Sequence, residues 1–150
     1  MYHKSFIDSL TFEYVNAFDV KRACQLESEG FPPEEAFTLE RFTYIQNAAP
    51  TLFLGAYLSD SYSTSFKSMS YHNSFGKTVS IHTICVDKLY RRRGVALCML
   101  KEYIKRLKNE SQNRDMNGKY ERIALICHEH LIPFYQKAGF ILKGESEIIY

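Results

Sequence analysis

The chain has 150 residues, which is typical of one domain with its own core, so we predict a single domain over residues 1–150. Hydrophobic residues make up 45% and charged residues 24% of the chain, which excludes a disordered or collagen-like protein. The longest apolar run, Val95–Leu100, is far shorter than the ~20 residues that span a bilayer. Because the first residues also lack a secretory signal, we expect a cytoplasmic protein without membrane partners.

The net charge of +2 is divided unevenly along the chain. Residues 1–75 have five Lys or Arg against nine Asp or Glu, a net of −4, whereas residues 76–150 have fourteen against eight, a net of +6. The basic half indicates an anionic partner. Its excess charge is modest and no nucleic-acid motif accompanies it, so we do not expect nucleic acid to be that partner.

The chain begins with a predicted strand and a predicted helix. Residues Phe12–Asn16 alternate aromatic or β-branched residues with polar ones, which is the period of a half-buried strand. Asp19 is predicted to cap a helix with its carboxylate, and the helix then has apolar residues at helical spacing from Val20 onward. Gly30 is predicted to end it.

A second helix, a second strand and a long polar segment follow. Thr38 is predicted to begin a helix that ends near Asn47. Leu52–Leu58 is predicted to be a strand. Residues 59–77 are rich in Ser, Tyr and Asn without a clear period, so we expect an exposed loop with at most one weak strand.

The second half of the chain has clearer patterns. Val79–Val86 is predicted to be one strong strand, and the basic turn Arg91–Gly94 leads into a helix from Val95 to about Lys108. Arg122–Cys127 is predicted to be a buried strand. A right-handed strand–helix–strand crossover makes these two strands parallel neighbours, so the fold class is α/β or α+β, with a mixed sheet flanked by helices.

The chain ends with a predicted short helix and two predicted short strands. The helix covers Leu131–Ala138, with a proline in its first turn, and Gly139 is predicted to end it. Phe140–Lys143 and Ile148–Tyr150 have the apolar character of strands.

The turn between the strong strand and the long helix is a candidate anion site. Free backbone N–H groups and the positive end of the helix dipole point the same way at such a junction, and Arg91–Ala96 adds three arginines and a glycine. The turn lacks the patterns of a Walker loop and of a dinucleotide fingerprint. A diphosphate fits this chemistry; a solvated basic turn is the structural alternative.

Three sequence boxes together resemble one family. The R-x-x-G-x-A pattern at Arg91–Ala96, with Leu131–Tyr135 and Ala138–Phe140 downstream, resembles the GCN5-related N-acetyltransferase (GNAT) superfamily. Ile81-His82 and Phe31-Pro32 are similar to the serotonin (arylalkylamine) N-acetyltransferase branch. Within that branch, Gly30–Pro33 and His128-Glu129 most resemble the fungal polyamine N-acetyltransferase.

The resemblance implies a GNAT fold in which parallel strands separate around the cofactor, and direct acetyl transfer from acetyl-CoA to a small-molecule amine. No metal is implied. The implied acetyl-CoA contacts are the end of the strand, the turn, the start of the helix and one tyrosine: Ile84, Cys85, Val86, Arg91, Arg92, Arg93, Gly94, Val95, Ala96, Leu97 and Tyr135.

Two residues are candidates for proton transfer. His82 is the candidate base, because an imidazole titrates near neutrality and, by strand alternation, it points away from Ile81 and Thr83. The family has another histidine two residues earlier, where this chain has Ser80. The resemblance makes Tyr135 the candidate that places a hydroxyl at the departing sulfur. A hydrogen-bonded core residue is the structural alternative for each.

The candidate acceptor site contains Phe31, Pro32, Glu34 and Glu129. Acidic residues favour a polyamine, whereas aromatic residues favour an arylalkylamine, and the sequence leaves both open, as it does the oligomeric state. Strand alternation places the side chains of Cys127–His130 on opposite sides, which disfavours a metal site. The alternative function is a catalytically inactive acetyl-CoA-binding module, favoured by the single convincing strand between residues 50 and 78.

Overall fold

The computed structural model describes residues 6–58, 63–68, 76–112 and 120–145. Within these ranges the strands and α-helices are, in chain order, β1 (Leu10–Tyr14), α1 (Val20–Gly30), α2 (Leu39–Ala48), β2 (Leu54–Leu58), β3 (Ser63–Ser68), β4 (Thr78–Ile81), β5 (Thr83–Val86), α3 (Val95–Gln112), β6 (Arg122–Leu125) and α4 (Ile132–Lys137). None of the helices in this part of the chain is long and apolar enough to cross a bilayer.

Four strands form an antiparallel sheet in the order β1-β2-β3-β5. Leu10 pairs with Leu58 at one end of the first pair, and Ser65 pairs with Val86 in the last. The expected single strand within residues 59–77 is present as β3, but the expectation that it would be weak is wrong, because β3 lies inside the sheet and pairs on both edges. A polar sequence suffices there, since neighbouring strands satisfy its backbone.

The predicted strand Val79–Val86 is divided in two at His82. Its first half, β4, pairs in parallel with β6, as predicted from the crossover rule, from Thr78 beside Arg122 to Ile81 beside Leu125. Its second half, β5, pairs with β3 instead. Beyond Ile81 the parallel pairing ends, so the edge of β5 that faces away from β3 has no partner strand among the described residues.

The first two helices begin for different reasons. The Thr38 hydroxyl accepts a hydrogen bond from the Arg41 backbone N–H at 3.3 Å, so the predicted cap of α2 is confirmed. Asp19 does not cap α1 through its side chain, which corrects the prediction. Its carboxylate instead accepts a hydrogen bond from the Tyr57 hydroxyl at 3.0 Å.

The helix α3 packs on the antiparallel sheet with Met99, Leu100, Tyr103 and Leu107 buried. It extends four residues beyond the predicted end at Lys108. Its first turn is different, because Leu97 is only half-buried and faces the space beside β5. The helix thus supports the core with most of its length and leaves its N-terminus at the edge of a pocket.

The C-terminal segment differs from the prediction in two places. β6 ends at Leu125 and is only half-buried, so Arg122–Cys127 is not a fully buried strand. Phe140–Lys143 forms no strand, since no described strand pairs with it and Ile141 is 77% exposed. Gly139 does end α4, with φ at +99°. The predicted strand Ile148–Tyr150 lies outside the described residues.

Candidate active site

A pocket of about 430 Å³ lies beside β5, between the first turn of α3 and α4. It is lined by the end of α1, all of β5 after Thr83, the following turn, the first turn of α3 and two residues of α4: Gly30, Ile84, Cys85, Val86, Tyr90, Arg91, Arg92, Gly94, Val95, Ala96, Leu97, Phe134 and Lys137. The free edge of β5 therefore forms one wall, and backbone N–H and C=O groups on that edge are available to a ligand with amide groups.

The turn after β5 has the backbone geometry of an anion site. Arg92 and Gly94 both have positive φ, +62° and +80°. When residues in the left-handed conformation alternate with residues of negative φ, successive backbone N–H groups point toward one position. The helix α3 begins directly after this turn. Partial positive charge at this helix N-terminus favours a phosphate there.

One salt bridge holds this turn against α1, and one side-chain cap fixes its start. The Asp87 carboxylate accepts from the Leu89 backbone N–H at 3.0 Å and pairs with Arg22 of α1 at 2.6 Å. The Arg91 Nε donates to the Val86 carbonyl at 3.0 Å, so its guanidinium lies over the end of β5. These contacts fix where β5 ends and the turn begins.

The three arginines of the turn do not have the same environment. Arg91 and Arg92 line the pocket, whereas Arg93 is not part of the pocket wall. The Arg93 guanidinium lies 5.0 Å from the ring centre of Phe6 and 6.0 Å from that of Tyr90. A cation held over two aromatic rings is less free to reach a phosphate, so Arg93 is the least favourably placed of the three.

His82 lies at the break between β4 and β5 and stacks on an aromatic ring. Its imidazole centre is 3.7 Å from that of Phe37, which precedes α2, while its outer edge is exposed. Burial of the stacked face and the positive charge of Arg41 lower the pKa of His82 to about 4. The imidazole is therefore neutral at physiological pH and has a free lone pair.

Tyr135 lies on α4 between two aromatic rings. Phe134 and Phe140 both meet it edge to face, at 5.0 and 5.8 Å. Burial, with a smaller effect of Cys127, raises the pKa of Tyr135 to about 12. The hydroxyl thus stays protonated and can donate a hydrogen bond, although Phe134 and Lys137, rather than Tyr135, form the α4 part of the pocket wall.

The predicted acceptor residues lie on two loops that meet. His128, after β6, approaches the Glu35 carboxylate at 3.6 Å, and Glu35 belongs to the loop between α1 and α2. Pro32 and Glu34 of that loop and Glu129 beside His128 are exposed. Phe31 is half-buried against the core. The carboxylates are thus accessible to a cationic ligand at this end of the molecule.

No group of three or more His, Cys, Asp or Glu side chains converges within the described ranges in a way that would hold a metal ion. The rings of His128 and His130 are 5.9 Å apart and stacked.

The comparisons with known proteins decide the family. A family model described as an acetyltransferase (GNAT) domain matches residues 40–148, which is most of the chain and includes the pocket turn and α4. The chain belongs to the GNAT acetyltransferase family. The cofactor of this domain is therefore acetyl-CoA, which GNAT acetyltransferases use.

Serotonin N-acetyltransferases are among the relatives of this GNAT domain. The enzyme of Mesocricetus auratus is 24% identical over 146 residues, and the match covers 89% of this chain and 66% of the relative. The human enzyme is 25% identical with the same coverage. The chain thus spans about two thirds of the length of these relatives. At this identity they support the superfamily, and the arylalkylamine branch and the likeness to the fungal polyamine enzyme stay predictions.

Solved structures confirm the fold. Glucosamine-6-phosphate N-acetyltransferase from Arabidopsis thaliana superposes with a TM-score of 0.69 at 16% identity, covering 94% of this chain and 97% of that one. The mixed sheet with flanking helices that the sequence predicted is therefore the GNAT fold. The parallel pair β4–β6, which separates after Ile81, is where the sequence predicted the cofactor.

A fully buried carboxylate on α1 was missed by the sequence interpretation. Glu27 is 0% exposed and contacts both β5 and the residue Phe37. The signal was present, because Val20, Ala23 and Glu27 follow the helical i, i+3, i+7 spacing and share one face of α1.

A Gly94→Ala variant tests the anion-binding turn. A Cβ at Gly94 meets only the Ile7 Cδ1 atom, at 3.9 Å, so it has space, but φ at +80° is unfavourable for alanine by about 1–2 kcal/mol. Relaxation of the turn would move N–H groups away from the phosphates. We expect the Kd for acetyl-CoA to rise about tenfold in calorimetric titration.

Gly144→Ala is the matched control for this variant. Gly144 also has positive φ, +149°, with no atom within 4 Å of an added Cβ, and it is not part of the pocket wall. A Gly144→Ala protein should lose stability and keep its affinity. Equal Kd values in wild type and Gly94→Ala would show that this turn does not hold the diphosphate.

Proposed function

We propose that this GNAT domain transfers the acetyl group of acetyl-CoA directly to the primary amine of a polyamine or an arylalkylamine, within a ternary complex. The observation that carries the proposal is the pocket at the end of β5. Its wall combines a free strand edge, a turn with two left-handed residues and a helix N-terminus. These features suit the amide groups and the diphosphate of one extended cofactor.

The pocket fits coenzyme A by the chemistry of its walls. The turn and the start of α3, with Arg91 and Arg92, would hold the diphosphate, and the edge at Ile84–Val86 would hold the pantetheine amides. Bound acetyl-CoA supplies an activated thioester. The Val86 carbonyl already accepts a hydrogen bond from Arg91 Nε, and its second lone pair remains for a pantetheine amide.

The proton balance of the transfer assigns separate roles to His82 and Tyr135. An ammonium acceptor loses two protons, a C–N bond forms and the C–S bond breaks, and the thiolate gains one proton. With its pKa lowered to about 4, His82 is too weak a base to deprotonate an ammonium with a pKa near 10. We assign His82 to a later step. After the amine attacks the acetyl carbon, its nitrogen carries a more acidic proton, and His82 accepts that proton.

Tyr135 has the complementary role in the proposal. Because burial keeps its pKa near 12, the hydroxyl remains a donor throughout the working pH range. A thiol has a pKa near 8.5, far below that of Tyr135. Complete proton transfer from the tyrosine to the thiolate is therefore unfavourable. Tyr135 therefore stabilises the developing thiolate by a hydrogen bond, and the proton that completes the thiol comes from the reacting nitrogen or from water.

One observation that favoured a catalytically inactive acetyl-CoA-binding module does not hold in the structure. That alternative depended partly on the absence of a second strand between residues 50 and 78, and β3 is that strand. The loop before α2 and the loop after β6 also meet through Glu35 and His128, which supports an acceptor site between them. We therefore favour an enzyme.

The experiment that tests the function compares initial rates of CoA release with spermine and with tryptamine. Faster turnover of spermine indicates a polyamine enzyme, and faster turnover of tryptamine an arylalkylamine enzyme. In a Glu34→Gln/Glu35→Gln variant, KM should rise severalfold more for spermine than for tryptamine, since two carboxylates on one loop suit a second ammonium. Glu40→Gln, an exposed change on α2, is the control.

Two outcomes would contradict the proposal. Tight acetyl-CoA binding without turnover of either amine would favour the inactive module. Turnover of both amines with the same KM in wild type and in the double variant would exclude the acidic loop as the acceptor site.

A further inference from the structure

Glu27 is a buried carboxylate that lies behind the pocket strand β5 and contacts two of its residues, Thr83 and Cys85. It lies on the inner face of α1, is 0% exposed, and its side chain accepts three hydrogen bonds. Oε1 accepts from the Phe37 backbone N–H at 3.2 Å, and Oε2 accepts from the Thr83 hydroxyl at 2.7 Å and the Cys85 thiol at 2.8 Å. A carboxylate at such a position is costly to bury and costly to leave unpaired.

The three partners of Glu27 belong to the two elements that the reaction must bring together. Thr83 and Cys85 lie on β5, whose edge forms the pocket wall. Phe37 lies in the loop before α2 and carries the ring on which His82 stacks. One side chain therefore joins the cofactor strand, the helix α1 and the loop that covers the proposed base.

Cys85 acts in this cluster as a hydrogen-bond donor and not as a reactive thiolate. Burial and the neighbouring Glu27 carboxylate raise the pKa of the Cys85 thiol well above its usual range, so the thiol stays protonated and acts as a donor. The Thr83 hydroxyl is 4% exposed and donates to the same oxygen. The cluster thus has donors on the strand and the loop, and a single acceptor on α1.

We propose that Glu27 is a positioning residue: it fixes the backbone of Phe37 against β5, and through the Phe37 ring it holds the imidazole of His82 in place beside the cofactor strand. Its catalytic consequence depends on the proposed function, whereas its effect on His82 does not. Apolar packing alone does not account for Glu27, since an apolar side chain could neither accept the Phe37 N–H nor satisfy Thr83 and Cys85.

The test measures the titration of His82 by NMR in the whole protein without ligands. The His82 signal is assigned by its loss in His82→Asn. In Glu27→Gln the side chain keeps its volume but offers one acceptor oxygen in place of two, so Phe37 should separate from the imidazole. Arg41, whose guanidinium lies 5.5 Å from the Phe37 ring centre, keeps its charge in this variant. We expect the titration midpoint to rise by about one pH unit toward 6.5.

Glu29→Gln is the matched control, because Glu29 is exposed on the same helix and its side chain accepts a hydrogen bond from its helix neighbour Gln25 at 3.1 Å. It should leave the midpoint unchanged. Phe37→Ala should raise the midpoint by itself, and Glu27→Gln should add nothing in that background. An equal further rise in the double variant would show that Glu27 does not act through Phe37.

Catalysis supplies a second measurement. If the domain turns over an amine, Glu27→Gln should lower kcat about tenfold or more, while the Kd for acetyl-CoA changes less. A protein that shows the NMR shift without any turnover would contradict the proposed function alone. A Glu27→Gln protein with a lower Tm and an unchanged His82 midpoint would overturn the positioning role.

Thr83→Val keeps the test valid if Glu27→Gln does not fold. It removes one donor to the Glu27 carboxylate with little change of shape, and should raise the midpoint in the same direction by a smaller amount. A folded Thr83→Val protein with the wild-type midpoint would overturn the proposal.

Discussion

In a Tyr135→Phe variant we expect kcat to fall about a hundredfold, with a change in the Kd for acetyl-CoA of less than about threefold. The hydroxyl is proposed to donate to sulfur only as negative charge develops there, so its removal affects the transition state more than the ground state. The phenylalanine ring of the variant would keep the edge-to-face contacts with Phe134 and Phe140, which do not involve the hydroxyl. Steady-state rates and calorimetric titration measure the two quantities.

The pH profile adds a sharper criterion for Tyr135. Since its pKa is raised to about 12, the hydroxyl stays protonated up to pH 9, and the ratio of wild-type to variant kcat should be constant from pH 6 to 9. Tyr44→Phe is the control, because Tyr44 is 48% exposed on α2. An unchanged kcat in Tyr135→Phe at every pH would exclude the proposed role.

A His82→Gln variant should lose about a hundredfold in kcat/KM at neutral pH, because the proton on the attacking nitrogen would then leave to water. The acid limb of the wild-type profile has a definite position. Only the neutral imidazole accepts a proton, so activity is present above the pKa of His82 and is lost as the pH falls through it. Because that pKa is lowered to about 4, we expect the loss of activity in acid to occur well below pH 6.5.

Arg41 provides the test of this pH dependence. Burial is the larger cause of the lowered pKa, and the Arg41 charge is the second, so Arg41→Gln should move the acid limb upward but not fully to 6.5. The protonation of the amine itself gives a separate limb at higher pH, which Arg41→Gln should leave in place. The same acid limb in both proteins would show that His82 is not the titrating base.

Local sequence signals predicted the parts of this fold that local chemistry decides. Thr38 begins α2 because its hydroxyl accepts a backbone hydrogen bond three residues ahead. Gly139 ends α4 because it alone takes a positive φ without strain there. The turn at Gly94 combines both kinds of signal, a glycine with positive φ and a helix N-terminus, so the sequence alone indicated an anion site.

Signals that depend on distant partners did not appear in the sequence. The polar stretch of β3 forms an interior strand because β2 and β5 pair with both its edges. Asp19 pairs with Tyr57 of β2 instead of capping its own helix. The segment Phe140–Lys143 has strand-like residues but no described strand to pair with.

The sequence by itself determined the basic turn and the helices beside it, because each depends on residues close together in the chain. For the same reason, three short sequence boxes sufficed to indicate the GNAT family. Only the tertiary structure divided the predicted strand at His82, since β4 pairs with β6 and β5 pairs with β3, and this change of partner opens the pocket. It also brought Glu27 to Phe37, Thr83 and Cys85. A buried carboxylate is stable only where separate segments supply its donors, and one helix pattern contains no information about those segments.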